Sequence, residues 1–374
     1  MNLFGTNDSR PSPMPRYSLY LPSEQQPLFY RFFARFLAGV YHLIVTIRNF
    51  LYDRKIFRTH KLPGLCFSVG NLTLGGTGKS PFVMELASRL LDHAYSPVIL
   101  TRGYKSSLRR NEFLLLLGGK PSKANFTRTL SKYPDEAMMY SQRLPQVPVL
   151  VARNRLSAAA WLQEQKIFPA SHWILDDGFQ HRKIHRDLDI VLMDAQSPVG
   201  NSYLFPHGSL REPLVSLKRA DFVCFTRASA SLPSASTLRE IGAFTKAPLL
   251  KFSFEMDIHS VDNTREFRED CFPVLLLCGI AHPEQFEKQI QDRGIPIGNR
   301  YVVGDHEPFD PGSLNKALHQ NCRSILTTEK DYWRAPQVFA GIKLPIFVAR
   351  IRIFPAQTNA SSFFEKICQI HKKA

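Results

Sequence analysis

Lys79 and Ser80 close a glycine-rich run, Gly70 to Pro81, that reads GNLTLGGTGKSP. A lysine followed by a hydroxyl residue at the end of such a run has the chemistry of a phosphate-binding loop. Glycines let the backbone curl so that successive N–H groups point at phosphate oxygens, and the following helix adds the positive end of its dipole. The lysine then reaches the β- and γ-phosphates, and the hydroxyl binds Mg2+. The strict pattern G-x-x-x-x-G-K-[ST] asks for a glycine five residues before Gly78, where this chain has Thr73. Gly75, Gly76 and Gly78 still supply permissive backbone beside the lysine. The expected nucleotide-binding residues are Thr73, Leu74, Gly75, Gly76, Thr77, Gly78, Lys79 and Ser80. The plainer alternative is a glycine-rich turn between strand and helix with an incidental lysine.

Such a loop works with a carboxylate at the end of a neighbouring strand, which holds Mg2+ or its water. HWILDDG supplies Asp176 and Asp177 directly after an apolar run, and either one suits the role. Asp-Asp-Gly is also turn chemistry, but the loop and the acid together are more specific than either alone. Other candidates are weaker by themselves. PDEA places Asp135 and Glu136 after a proline, where a helix N-cap also accounts for them. GDHEPF places Asp305, His306 and Glu307 after an apolar stretch, and a lone histidine there is more often structural than catalytic. His181 and His185 are four apart, as zinc ligands can be, but the Glu of H-E-x-x-H and a third ligand are missing, so no zinc site is expected.

The elements that must position these groups follow from hydrophobic periodicity. LCFSVGN (65–71) reads as a buried strand, and KSPFVMELASRLLDH (79–93) as an amphipathic helix with Phe82, Val83, Leu86, Leu90 and Leu91 at helical spacing. Further strands are expected at 96–104, 172–178, 188–195 and 220–228. Strands alternating with helices predict a doubly wound, mostly parallel sheet of the P-loop NTPase kind. Residues 246–262 alternate like a strand and are expected to form an extended linker, after which the α/β pattern restarts. There, strands are expected at 273–280, 324–331 and 344–351, a strand plus loop at 300–309, and helices at 282–294 and 313–321. Residues 106–133 contain a hairpin or loop.

The 374 residues are 44% hydrophobic and 21% charged, enough for a large core and two domains. The net charge of +16 favours polyanionic partners, whether nucleic acid, an acidic membrane surface or phosphorylated substrates. Zinc-finger and RNP-type signatures are missing, and no nucleic-acid partner is expected. None of the six cysteines forms a C-x-x-C pair, which predicts buried thiols in a reduced compartment. Residues 1–27, rich in Pro, Ser and Asn, read as poorly ordered and carry no signal-peptide pattern. Residues 28–57 are highly apolar but interrupted by Arg31, Arg35, Arg48, Arg54 and Lys55. The 12 residues between Arg35 and Arg48 are fewer than the roughly 20 a spanning helix needs. An amphipathic helix at the membrane interface is expected, with the arginines reaching lipid phosphates. A helix buried against the domain is the alternative, and five cations count against it.

Taken together, SVGNLTLGGTGKSPFV, LTRGY, PDEA, VARNR, LDDGFQHRKIHRDLDIVLMDA, PHGSLREP, CGIAHPEQF, GDHEPF and TTEKD run in order from about residue 65 to 331. This series resembles the tetraacyldisaccharide 4'-kinase family, the lipid A kinases of Gram-negative bacteria. The family's loop lacks the strict first glycine, so Thr73 resembles a family variant. Ser80 replaces a common threonine and keeps the hydroxyl. PDEA departs from the commoner Gly-Asp-Glu-Pro but keeps the acidic pair, and PHGSLREP departs at its start.

The resemblance implies transfer of the ATP γ-phosphoryl group to the 4'-hydroxyl of a tetraacyldisaccharide 1-phosphate, giving lipid IVA. The co-substrate would be ATP with Mg2+, and the partner a membrane-embedded anionic glycolipid at the cytoplasmic face of the inner membrane, bound peripherally or monotopically. Asp135 resembles the family's base, and His306, from the second domain, its dyad partner. Ser80 and Asp176 or Asp177 would organise Mg2+, with Glu136 assisting. His181, Arg155 and Arg211 are the candidates for the lipid headgroup, since arginine suits phosphate. Closure of the two domains would then complete the site. The implied organisation is a disordered start and membrane helix over 1–60, a P-loop kinase domain over 61–250, a linker over 251–271 and a smaller α/β domain over 272–374. The main rival is a P-loop regulatory NTPase at the membrane, but the base-reading Asn-Lys-x-Asp motif of GTPases is absent from the sequence. A non-enzymatic nucleic-acid or membrane-binding module leaves the loop and the Asp-Asp-Gly pair unexplained.

Overall fold

In the computed structural model, strand β1 (Leu65–Asn71) lies in the middle of a large sheet with every residue buried. The described residues are 28–104, 106–127, 130, 133–166, 168–228, 233–262, 264–280, 282–304, 307–318, 321–356 and 362–370. The strands after β1 are β2 (Pro97–Thr101), β3 (Phe113–Leu117), β4 (Lys120–Ala124), β5 (Val149–Ala152), β6 (His172–Asp176), β7 (Leu188–Asp194), β8 (Phe222–Thr226) and β9 (Leu249–Ser260). Then come β10 (Val274–Cys278), β11 (Ile297–Val302), β12 (Ser324–Thr328) and β13 (Ile346–Pro355). They form one 13-stranded sheet in the order β11-β10-β12-β13-β9-β8-β7-β1-β6-β2-β5-β3-β4. Pairing is parallel except for β13–β9, β3–β4 and β3–β5. The inner parallel strands are continuous apolar runs because helices cover both faces. β4 is the exposed outer edge, and its sequence KPSKA sets lysines and a proline there, which discourages pairing with another chain.

The helices fill the crossovers between parallel strands. α1 (Leu28–Asp53) precedes the sheet, and α2 (Lys79–Asp92) follows β1. α2 buries Phe82, Val83, Leu86, Ala87 and Leu90, the face that its 3.6-residue period turns toward the strands. α3 (Asp135–Arg143), α4 (Arg155–Glu164) and α5 (Ala235–Gly242) complete the first half. α6 (Pro283–Gln291), α7 (Pro311–Leu318), α8 (Glu329–Arg334) and α9 (Pro336–Phe339) surround β10 to β13. α10 (Phe363–Gln369) returns to the first half, where Phe363 and Phe364 pack edge-on or tilted against Phe82 and Phe252.

β9 joins the two halves of the sheet. Residues expected to be an extended linker are instead a 12-residue strand, paired in parallel with β8 at Leu249–Lys251 and antiparallel with β13 over Phe252–Ser260. The backbone groups of such a stretch must find partners, and the open edges of both half-sheets supply them. Apolar clusters on the second half, around Leu276, Cys278, Phe347 and Ile325, are separate from those around β1. The expected hairpin within 106–133 is β3–β4. The six cysteines are buried free thiols. The expected poorly ordered start, residues 1–27, lies outside the described residues.

α1 packs on the body through a narrow stripe, Ala34, Ala38, Tyr41, Val45 and Arg48–Asn49, at i, i+3 and i+4 spacing. Most of its apolar residues face outward: Phe29, Phe32, Phe36, Leu43, Ile44 and Phe50 are each more than half exposed. Globular helices normally present the opposite pattern. Among the described residues no helix is long and apolar enough to cross a membrane.

Candidate active site

The carboxyl ends of β1, β6, β2, β7 and β8 share one edge of the sheet, because these strands are parallel. Ligands of open α/β sheets bind in the crevice outside such an edge. Here it gathers most of the chemistry expected from the sequence.

The glycine loop leaves β1 and is tied down at intervals. Asn71 Nδ2 donates to Thr73 O at 2.7 Å, Leu74 N to Ser209 O at 2.7 Å, Arg211 N to Leu72 O at 2.6 Å, and Thr226 Oγ1 to Thr77 O at 3.0 Å. Thr73 also bridges Leu210 in antiparallel fashion. Between these ties the Gly75 and Gly76 positions face open space. Gly78 caps α2 in the left-handed region, φ +77°, and a Cβ there would overlap the Phe254 ring, so glycine is required twice over. The first N–H groups of α2, beginning with Lys79 and Ser80, have no partner inside the helix. The result is a fixed cradle of donors, with the Thr77 hydroxyl buried beside it without a partner.

Asp176 and Asp177 differ sharply. Asp177 follows β6 with φ +51°, a conformation Asp tolerates better than most residues. Its two oxygens accept from Arg211 Nη1 and Nη2 at 2.6 and 2.9 Å, and Lys79 Nζ lies 3.8 Å away. Burial alone would raise its pKa, but Arg211 and Lys79 outweigh burial and hold the carboxyl well below the usual range. Asp176, in contrast, is buried at the end of β6, where burial and then Asp177 push its pKa up. Thr101 Oγ1 donates to its Oδ2 at 3.1 Å.

α3 brings the second acidic pair to the same place. Asp135 and Glu136 form its first turn, and Asp135 is buried with its Oδ1 accepting from Glu136 N at 3.0 Å. Ser80 Oγ stands 3.5 Å from Glu136 Oε1. Burial, and then the neighbouring Asp176, push Glu136 up to about 7. Half-buried Glu136 beside buried Asp176, with a hydroxyl next to them, fits a divalent cation. Among the described residues no three acidic, histidine or cysteine side chains form a ready-made metal centre. Mg2+ takes one or two protein carboxylates and completes its shell with water and substrate phosphates.

Arg155 is buried at the start of α4, and its Nη1 donates to Asp177 O at 3.3 Å. Burial and then Arg155 lower His181 to about 3, so its imidazole is neutral at pH 7. Its Nε2 is buried without a partner. Arg211, expected at the headgroup, has its guanidinium on Asp177 and Asn71 Oδ1. His306 and Asp305 lie outside the described residues. The second half of the chain still reaches this site through α8. Glu329 is buried between Arg143 of α3, at 3.0 Å, and Arg350 of β13, at 3.2 Å, and Lys330 lowers the Glu136 pKa against its other neighbours.

Several participants were not singled out from the sequence. Arg102, next to Thr101, adds positive charge around Arg155 and His181. Tyr140 is fully buried, and burial, then the neighbouring Asp176 and Glu136, push its phenol up. Glu212 is fully buried and accepts from Arg48 Nη2, Asn49 Nδ2 and Arg219 Nη2 at 2.7 to 3.0 Å, while Tyr41 OH donates to Arg211 O at 2.9 Å. Residues 211–212 therefore connect α1 on one side to Asp177 on the other. A usable signal was present: Thr101 and Thr226 are polar residues that end apolar strands, as Asp176 does.

A family model described as tetraacyldisaccharide-1-P 4'-kinase matches residues 30–369. The tetraacyldisaccharide 4'-kinase of Syntrophus aciditrophicus is 35% identical over 308 residues, covering 78% of this chain and 80% of that relative. That of Desulfotalea psychrophila is 32% identical over 340 residues, 88% of this chain and 94% of its own. Among solved structures, the "apo" form of LpxK from Aquifex aeolicus in complex with ATP aligns with a TM-score of 0.69 at 27% identity, over 89% of this chain and 97% of that one. With the match running nearly end to end and the loop, the acidic pairs and the basic pocket inside it, this chain belongs to the tetraacyldisaccharide 4'-kinase family.

Proposed function

We propose that the carboxyl edge of this sheet binds ATP and a tetraacyldisaccharide 1-phosphate side by side, so that the 4'-hydroxyl of the sugar takes the γ-phosphoryl group. The chain is a lipid A 4'-kinase, and its product is the 1,4'-bisphosphate, lipid IVA. The observation that carries the site assignment is the meeting of Lys79 with Asp177 and of Ser80 with half-buried Glu136, beside buried Asp176.

In this reading residues Thr73 to Ser80 cradle the phosphates, and Lys79 leaves Asp177 for the β- and γ-oxygens when nucleotide enters. Asp177, already neutralised by Arg211, braces the loop rather than binding metal. Ser80, Asp176 and Glu136 would hold Mg2+, which would supply shielding of the triphosphate charge. Asp135 is the base: it takes the 4'-hydroxyl proton while the oxygen–phosphorus bond forms and ADP leaves. His306 is its partner by resemblance, with closure of the second half bringing it in. Catalysis here is mostly positioning and charge stabilisation, as is usual for phosphoryl transfer.

Arg155 and His181, with Arg102, line the acceptor side. A neutral imidazole with a free Nε2 beside two guanidiniums offers hydrogen bonds and charge to a phosphorylated sugar. The outward apolar face of α1, with Arg31 and Arg35 on the same helix, suits the interface of an anionic bilayer, so that the enzyme works as a peripheral protein at the cytoplasmic face of the inner membrane.

The test is transfer of labelled phosphate from ATP to purified tetraacyldisaccharide 1-phosphate in detergent micelles, with wild type and Lys79→Ala side by side. Labelled bisphosphate from wild type alone is expected. Lipid-independent ATP hydrolysis without transfer would replace this reading with a regulatory NTPase.

A further inference from the structure

The nucleotide site described above leaves one part of ATP without a seat, the base and ribose, and the direction in which they leave the loop follows from the sheet order. β1 has β6 on one side and β7 then β8 on the other. Asp176 ends β6, and α3 and α4, which carry Asp135, Glu136 and Arg155, pack on β5 beyond it. The phosphoryl group to be transferred points there, so the remainder of the nucleotide extends over the carboxyl ends of β7 and β8.

Those ends carry Asp194 and Thr226–Arg227. Thr226 Oγ1 donates to Thr77 O at 3.0 Å, which docks the end of β8 directly on the phosphate loop. The next residue, Arg227, takes φ +57°, a turn that non-glycine residues seldom adopt. Its guanidinium is ion-paired with Asp194 and lies over the Phe254 ring, 5.9 Å from the centroid. Phe254 in turn abuts Gly78. Arg227 keeps 31% of its side chain exposed, so a planar cation is held by a carboxylate beside an aromatic ring, at the rim of the loop. Guanidinium planes stack on aromatic rings, and an ammonium group lacks that face.

We propose that Arg227 is the base-contacting residue of the nucleotide site: its guanidinium stacks on the purine of ATP, with Asp194 and Phe254 as positioning residues. The proposal rests on the assignment of the glycine loop to ATP phosphates. It supplies by stacking what the missing Asn-Lys-x-Asp motif would supply by hydrogen bonding, so it predicts purine preference with weak discrimination between ATP and GTP.

The experiment compares binding of ATP and of inorganic tripolyphosphate, both with Mg2+, to the full chain by calorimetry. The variants are Arg227→Asn, which tolerates the left-handed backbone, and Arg227→Lys, which keeps the charge. Thermal midpoints within a few degrees of wild type accompany each measurement, and Asp194→Asn provides a second route that leaves Arg227 in place. Arg227→Asn and Arg227→Lys are both expected to weaken ATP about tenfold, the order of a lost base stack, with tripolyphosphate changed less than about twofold. Full recovery by lysine would assign the contact to phosphate charge and overturn the proposal. Equal losses for ATP and tripolyphosphate would overturn it too, by placing the effect on the loop. A wild-type chain that binds neither probe would remove the nucleotide assignment itself, and the proposal with it.

Discussion

Glu212→Gln replaces the fully buried carboxylate beneath α1 by an amide of nearly the same shape. Glu212 accepts from Arg48, Asn49 and Arg219, whose side chains differ in exposure: Arg48 is 32% exposed and Arg219 9%. Arg48 can turn to water, so its pair contributes about 1 kcal/mol or less. Arg219 cannot, and breaking a buried pair by removing one partner costs about 3–5 kcal/mol. A loss of about 3 kcal/mol is expected, because the amide oxygen still accepts one bond. At about 2 cal/mol/K per residue, a cooperative transition of this 374-residue chain would shift by about 4 °C. Arg48→Met should cost about 1 kcal/mol. The pH dependence has a definite sign. Burial would raise the Glu212 pKa, but Arg219 and Arg48 outweigh burial and lower it. A depressed carboxyl contributes stability that is present above the unfolded value and lost as pH falls through the folded one. The gap between wild type and Glu212→Gln, read by urea unfolding, should stay constant from neutral pH to about 5 and close below that. A cost under about 1 kcal/mol, or a gap that ignores acid, would refute the reasoning.

Three further outcomes are expected. Glu136 is raised from the ordinary 4.5 to about 7, so the unfolded chain releases this proton first and stability falls as pH rises between those values. Glu136→Gln should remove that slope in thermal melts, and Mg2+ with nucleotide should flatten it in wild type; an unchanged slope in the variant would reject the pairing with Asp176. Gly78→Ala should weaken ATP binding at least about tenfold, since the new Cβ meets Phe254 at a left-handed backbone position; wild-type affinity by calorimetry would contradict the geometry. Asp135→Ala should lower kcat by about a hundredfold or more in the transfer assay while ATP affinity changes little. Equal losses in both would take the role of base away from Asp135.

The sequence by itself was informative wherever a local pattern implies a local structure. A continuous apolar run ending in GNLTLGGTGKS reads as strand, loop and helix because each piece is decided by neighbouring residues, and β1 and α2 begin where that pattern says. The helix start at Asp135 and the acid at the end of β6 were legible for the same reason, and the motif series from residue 65 to 331 carried the family.

Tertiary structure decided what depends on partners far along the chain. Asp176 and Asp177 are adjacent and identical in type, and the arrival of Arg211, 34 residues away, together with Lys79, holds one ionised, while burial and Asp177 push the pKa of the other up. The same pairing ties Arg211 to the acid beside the loop. β9 looked like a linker because its partners, β8 and β13, come from opposite sides of it in sequence. An apolar run interrupted by arginines predicts a helix within residues 28–57, but the contacts of Arg48, Asn49 and Tyr41 with residues 211–212 determine which stripe faces the body. Charge pairs and strand neighbours act through space, so a linear pattern records each participant without recording whom it meets.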